Sequence, residues 1–204
     1  MSMRILARII PAEVRASDGS YFTKEALINY LDSPQYHYRR KSKTCLGAVT
    51  HAYRDKDLSR SSVIAVIDEL LLNRIITHYV DDMFFENNWL MGYINLLDAN
   101  LIQDKEAAAW IYYVEGLIKN GVELPVSAFV AGKWDGDKCI EVVDIAGVDF
   151  TLDPGFKEAS IILDKNKKYS RSLDYDKSRD KISDMDVRYM YNSNKRYKFY
   201  KNIR

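Results

Sequence analysis

Cysteine and histidine are scarce in this chain of 204 residues, which has two cysteines and three histidines. Cys45 and Cys139 are too few for a disulfide scaffold, and they lack the paired Cys/His spacing of a zinc site. No stretch approaches the roughly 20 apolar residues of a membrane span, and Arg4 and Arg8 interrupt the apolar N-terminal run that a secretory signal would need. We therefore expect a soluble protein of a reducing cytoplasm, without a metal site.

Motifs for phosphate and cofactor binding are missing as well. The chain has no glycine-rich phosphate loop, no dinucleotide fingerprint and no His-Glu-x-x-His sequence. Asp81-Asp82 with Glu86 could ligate a cation, but a solvated turn is the preferred interpretation. Asp135-Gly136-Asp137 resembles part of a calcium loop without the later ligands, so it is predicted to be a turn. No cofactor is expected.

Positive charge is concentrated at the C-terminus. Residues 161–204 contain 13 Lys and Arg against 6 Asp and Glu, whereas residues 1–160 contain 17 against 23. The composition changes near residue 163, which predicts a globular domain over 1–163 and a basic flexible tail over 164–204. The cluster Lys195–Lys201, with interleaved aromatic rings, leaves nucleic-acid binding through the tail open, although a nucleic-acid partner is not expected.

Hydrophobic periodicity and turn signals predict several short strands and two helices in residues 1–163. The predicted helices are 24–31, capped by Thr23, and 104–119, followed by Asn120-Gly121. The predicted strands are 4–10, 45–51, 124–132, 140–144 and 148–152, together with a hairpin over 83–97. The polar and basic stretch Gln35–Lys43 is predicted to be a loop. The segment Val63–Ile76 is apolar without a clear period and is left unassigned.

Two residues are placed as a nucleophile and its base would be. Ser127 lies among small and apolar residues, which fits either a buried strand serine or an activated nucleophile. A serine nucleophile needs a base, and histidine suits that role because its pKa lies near 6.5. His51 ends a glycine-containing strand, whereas His37 lies in a polar basic stretch and His78 could be a buried structural histidine. Spacing along the chain cannot show whether these groups meet.

Four segments in a fixed order resemble the prohead (capsid maturation) proteases of tailed phages, which are related to the herpesvirus assemblins. Leu46–His51 resembles the family's Leu-Gly-x-x-x-His strand, and Met83–Leu97 resembles its hairpin with a following glycine. Gly121–Gly132 resembles the strand that bears the nucleophilic serine. Ile145–Pro154 resembles the closing strand, with an aspartate between hydrophobic residues and a proline soon after.

The resemblance implies a role for each matched residue. Ser127 would be the nucleophile, His51 the general base and Asp149 the group that orients His51. Assemblins use a second histidine as the third member, so His78 is the rival for that position. Asp144 and Asp153 are weaker rivals, because strand alternation points Asp149 away from its apolar neighbours.

One departure from the family pattern concerns the oxyanion. Family members often have Ser-x-Arg, whereas this chain has Ser127-Ala128-Phe129. Backbone amides after Ser127, or a basic residue such as Arg39 or Arg40, would have to replace that arginine. Loss of one oxyanion donor typically costs about 10²–10³ in rate.

The resemblance also implies the fold and the biological setting. The fold would be α+β, an assemblin-like and mostly antiparallel β-barrel surrounded by helices. The activity would be that of a serine endopeptidase that cleaves scaffold and capsid proteins, and its own terminus, inside the assembling procapsid in the host cytoplasm. A homo-oligomer is left open. The alternatives are a virion or scaffold protein that keeps the fold without the chemistry, and a nucleic-acid-binding protein acting through the tail.

Overall fold

The computed structural model describes residues 3–49 and 75–164. The described part of the chain is of the α+β class, with one large sheet and three α-helices. The strands are β1 (Arg4–Pro11), β2 (Tyr21–Phe22), β3 (Leu46–Ala48), β4 (Ile76–Glu86), β5 (Trp89–Leu96), β6 (Val126–Asp135), β7 (Lys138–Phe150) and β8 (Ile161–Ile162). The helices are α1 (Lys24–Leu31), α2 (Pro34–Ser42) and α3 (Lys105–Lys119), with a short 3₁₀ helix at Ala99–Leu101.

The sheet is mostly antiparallel and has the strand order β2-β7-β3-β4-β5-β1-β8, with β6 paired to β7. β2 and β3 run parallel to β7, and every other pair of strands is antiparallel. Strand pairing among the described residues does not close the sheet into a barrel. Hydrogen bonds from Val126 N to Ala159 O and from Ile161 N to Leu124 O, both 3.0 Å, link the start of β6 to the region of β8. The predicted α+β class is confirmed, and the closed barrel stays a prediction.

Helix α1 begins where the sequence predicts. The Thr23 side chain accepts a hydrogen bond from Ala26 N, and the helix buries Ala26, Leu27 and Tyr30. The Tyr30 hydroxyl accepts a hydrogen bond from Ile145 N at 3.2 Å, which attaches the helix to β7. An N-cap of this kind is worth about 1 kcal/mol, and burial of the apolar side chains holds the helix on the sheet.

Helix α2 corrects the predicted loop at Gln35–Lys43. Ser33 caps it by accepting from Tyr36 N, and Pro34 occupies the first turn, where its missing N–H costs nothing. Only Tyr36 and Arg39 are buried, so the helix carries almost no apolar periodicity. The prediction was wrong because one aromatic and one charged residue, Tyr36 and Arg39, attach this helix to the core, and two such residues make no apolar periodicity.

Strand β7 corrects a second prediction, in which it was divided into two strands. It continues without a break from Lys138 to Phe150 because it pairs along nearly its whole length with β6. The predicted hairpin is confirmed and extended: β4 and β5 meet at Asn87-Asn88, both of which have positive φ. The helix predicted over 104–119 is confirmed as α3, capped by Asp104.

Candidate active site

Ser127 and Asp149 face each other across two paired strands. Ser127 is the second residue of β6 and is half-buried, and its partner in the antiparallel register is Asp149 on β7. Side chains of directly opposed residues point to the same face of a sheet, with Cβ atoms about 4.5–5.5 Å apart. Two residues that lie 22 positions apart in the sequence are therefore neighbours on one face.

The Asp149 carboxylate is completely buried and is held by strand β3. It is 0% exposed, and Oδ1 accepts a hydrogen bond of 2.9 Å from the backbone amide of Ala48. A buried carboxylate requires such donors, because an unsatisfied charge in the interior is very costly. β3 runs parallel to β7, with Leu46 opposite Gly147 and Val49 bridged to Phe150.

The predicted base, His51, lies outside the described residues. The described part of its strand ends at Val49, whose bridge to Phe150 places it beside the strand that carries Asp149. Gly47 occupies a position in this strand where a larger residue does not fit. A methyl group at Gly47 would overlap the Val148 carbonyl oxygen and the His78 ring.

His78 is buried on the other face of the sheet. Its Nε2 atom lies 2.7 Å from the Val148 carbonyl oxygen and its Nδ1 atom 2.8 Å from Thr77 Oγ1. The imidazole packs on the Phe150 ring, with 4.4 Å between centroids. Val148 and Phe150 flank Asp149 on β7, and successive side chains of a strand point to opposite faces. The imidazole therefore lies on the face opposite to Asp149 and Ser127.

The rival carboxylate Asp144 is engaged by Arg39. Nε and Nη2 of Arg39 donate to the Asp144 carboxylate, with the shorter distance 2.6 Å, and Nη1 donates to the Thr44 carbonyl oxygen. Both side chains are buried, at 7% and 1% exposure. Asp153, the other rival, is exposed in the turn after β7.

Two arginines, Arg39 and Arg40, were suggested for the oxyanion role. Their described side-chain contacts are with residues other than Ser127. Arg39 donates to Asp144, and Arg40 Nε donates to Asp82 at 2.8 Å. Backbone amides after Ser127 remain the alternative for that role.

The Asp81-Asp82 pair is an ion-pair cluster, not the solvated turn that was predicted. Arg4 contacts both carboxylates, at 3.2 and 2.6 Å, and Arg40 contacts Asp82. The irregular register of β4 at this point, with Asp82 at φ 45°, brings the two aspartates together. The described residues contain no group of three or more acidic, His or Cys side chains arranged to hold a metal ion.

Both cysteines are buried thiols, and neither is disulfide-bonded. Burial raises the pKa of the Cys139 thiol to about 11, and burial also raises the pKa of Cys45, with the nearby Asp144 adding to the effect. A nucleophilic cysteine requires a lowered pKa. Neither thiol therefore has the lowered pKa that a nucleophilic cysteine requires.

Sequence reasoning missed two contacts of this region, the Arg39–Asp144 ion pair and the bond from Ala48 N to Asp149. Nothing in the sequence of Gln35–Lys43 marks Arg39 as buried. The sequence did contain one signal, the pair of small residues Gly47-Ala48. Small residues of this kind let the backbone of one strand closely approach its neighbour, here the strand that bears Asp149.

A comparison with solved structures finds a similarity to a phage protein. The bacteriophage T4 capsid assembly protease matches with a TM-score of 0.47 and 16% sequence identity, over 72% of this chain and 80% of that chain. No protein-family profile matches the sequence, and no curated protein matches it. In the described part of the chain, no helix has the length and apolar character needed to cross a membrane.

Proposed function

We propose that this chain is a serine endopeptidase of the capsid-maturation type, with Ser127 as nucleophile, His51 as general base and Asp149 as the residue that orients His51. The observation that carries the proposal is the direct pairing of Ser127 with the buried Asp149 on one face of the sheet. The bond from Ala48 N to Asp149 adds to it, because Ala48 belongs to the strand that precedes His51.

The position of the base is supported by the chain connection. Val49 precedes His51 by two residues and is bridged to Phe150, the neighbour of Asp149. Two residues of chain span at most about 7 Å. A carboxylate can accept several hydrogen bonds, so Asp149 has the acceptor capacity to bind an imidazole N–H in addition to the Ala48 amide.

The proposed reaction is peptide-bond hydrolysis through an acyl-enzyme. Ser127 Oγ attacks the carbonyl carbon of the scissile peptide while His51 takes the hydroxyl proton. The tetrahedral intermediate then collapses, the C–N bond breaks, and His51 gives the proton to the departing amine. Water, activated by the same histidine, attacks the ester and regenerates Ser127. Asp149 stays ionised throughout and stabilises the imidazolium.

The proposed substrates are scaffold and capsid proteins, processed inside the assembling procapsid in the host cytoplasm. The closed, assemblin-like barrel belongs to the same proposal, supported by the hydrogen bonds that join Leu124–Val126 to Ala159–Ile161. Apart from Asp164, the basic tail predicted over 164–204 lies outside the described residues, and its removal by self-cleavage is part of the proposal.

The test uses a fluorophosphonate probe, which forms a covalent bond with activated serines, and co-expression with the candidate capsid and scaffold proteins. The parent protein and the Ser17→Ala control, which changes an exposed loop serine, should be labelled and should process the substrates. Ser127→Ala should do neither. Processing that persists unchanged in Ser127→Ala would show that the nucleophile is wrong.

The same measurements, together with a nucleic-acid binding assay, separate the alternatives. A folded parent protein that neither reacts with the probe nor processes any substrate would favour a virion or scaffold protein without the chemistry, in line with Phe129 at the usual arginine position. Nucleic-acid affinity that is lost when residues 164–204 are deleted would favour action through the tail.

A further inference from the structure

His78 connects two strands that do not pair with each other. It lies on β4 opposite Gly47 of β3, and its Nε2 atom is 2.7 Å from the Val148 carbonyl oxygen on β7. β3 lies between these two strands. The ring can cross β3 only because Gly47 has no side chain, since a methyl group there would overlap both the ring and the Val148 oxygen.

The contacts of the ring define its tautomer. A carbonyl oxygen only accepts hydrogen bonds, so Nε2 carries a proton and donates it to Val148 O. In the neutral ring Nδ1 then accepts, and the Thr77 hydroxyl, 2.8 Å away and itself buried, is its donor. The Val148 carbonyl therefore selects the Nε2-protonated ring, and the Thr77 hydroxyl, which can donate or accept, complements it at Nδ1.

The bonded carbonyl belongs to the peptide group that immediately precedes Asp149. That peptide group is held by His78 from one face of the sheet, while the Asp149 carboxylate is held by Ala48 N from β3. Phe150, the residue after Asp149, packs on the same imidazole. The residues on both sides of Asp149 thus contact one buried histidine, Val148 through its carbonyl oxygen and Phe150 through its ring.

We propose that His78 is a positioning residue, which fixes the β7 backbone at Val148–Phe150 and thereby holds the Asp149 carboxylate in place beside Ser127. The inference rests on the proposed function, and it gives His78 a role other than that of third member of the triad. A third member would have to reach the Ser127 face, whereas the contact with Phe150 keeps the ring on the opposite face. His78 acts through the backbone and does not touch the substrate.

The test measures labelling by a fluorophosphonate as a function of probe concentration, which separates the maximal rate of inactivation from the affinity for the probe. Small displacements of a catalytic group can cost about 10²-fold in rate. His78→Leu should lower the maximal rate by about 10- to 10²-fold and leave the affinity unchanged. His78→Gln, whose amide N–H can donate to Val148 O, should restore most of that rate.

Two further pairs of variants guard against simple misfolding. Thr77→Val removes the hydroxyl at nearly constant volume and should lower the maximal rate, whereas Thr77→Ser keeps the hydroxyl and should match the parent protein. Gly47→Ala should lower both the melting temperature and the maximal rate. Gly116→Ala on α3, where a methyl group meets no atom within 4 Å, should lower neither.

Nitrogen-15 NMR of the imidazole rings supplies a readout that does not depend on activity. The signals that vanish in His78→Gln should show a protonated Nε2 and an unprotonated Nδ1. The opposite tautomer, or a folded His78→Leu protein with an unchanged maximal rate, would overturn the inference. A parent protein in which Ser127 is never labelled would overturn the proposed function and the positioning role together, while the NMR result would still show whether the bond to Val148 exists.

Discussion

Two buried aspartates on the same strand differ in their described contacts. Asp144 is 1% exposed and is paired with the Arg39 guanidinium, a full positive charge that approaches to 2.6 Å. Asp149, five residues further along β7, is 0% exposed, and its Oδ1 atom accepts a hydrogen bond from the backbone amide of Ala48. Both carboxylates satisfy the requirement that buried charge be hydrogen-bonded.

The difference shows which carboxylate is suited to a chemical role. The charge of Asp144 is cancelled by a partner that belongs to the fold and fastens α2 to β7. Asp149 faces Ser127 across the β6–β7 pair, where an ionised carboxylate can stabilise an imidazolium that forms during a reaction. We therefore assign Asp144 to stability and Asp149 to the proposed chemistry, and the predictions below test that division.

The largest effect is expected for Asp149→Asn. The amide oxygen can still accept from Ala48 N, so the fold should survive, but the negative charge that orients and stabilises the histidine is lost. Replacement of this kind in a serine triad lowers the rate by about 10⁴, and we expect a loss of about 10³–10⁴ in the rate of fluorophosphonate labelling. Asp144→Asn is the matched control, and its folded molecules should be labelled at nearly the parent rate. Equal loss in both variants would contradict the division.

The opposite pattern is expected for stability. Asp144→Asn leaves Arg39 buried without a counter-charge, and breaking a buried ion pair from one side typically costs about 3–5 kcal/mol. Urea denaturation should show this loss for Asp144→Asn and a smaller one for Asp149→Asn. The double variant Arg39→Met/Asp144→Leu should recover most of the stability, since it removes both charges. The exposed pair Lys133–Glu141 provides the reference, and Glu141→Gln should change stability far less. A double variant as unstable as Asp144→Asn would show that the ion pair is not what holds α2.

Much of the fold could be predicted from the sequence where local signals and burial agree. Thr23 and Asp104 are N-caps in front of apolar helical patterns, and Asn87-Asn88 separates two apolar runs, so α1, α3 and the β4–β5 hairpin were predicted correctly. Helix α2 was missed because its attachment depends on Tyr36 meeting Met83, 47 residues away, and on Arg39 meeting Asp144, 105 residues away. No local pattern contains such a contact.

The candidate site was only partly accessible to sequence reasoning. The order and spacing of the motifs selected Ser127 and Asp149. Their pairing, however, depends on the register of β6 and β7, and a shift of one strand by one residue would place the two side chains on opposite faces of the sheet. His78 lies on the face opposite to Ser127 because of the strand register and because Gly47 leaves room for its ring. The spacing of residues in the sequence contains neither the register nor this close approach. The assignment of His51 stays a prediction, because that residue lies outside the described part of the chain.

The smallest expected effect is on the reactivity of Cys45, whose pKa depends in part on Asp144. Its thiol is completely buried, and burial, reinforced by Asp144, raises its pKa, so the folded protein should react very slowly with a disulfide reagent at pH 8. Asp144→Asn removes a negative neighbour and loosens α2, and both changes favour the thiolate, so labelling should become faster in a Cys139→Ala background. Asp149→Asn, which leaves the Arg39 contact intact, should change the rate less. Equal acceleration by both variants would show that the two aspartates support one cooperative unit.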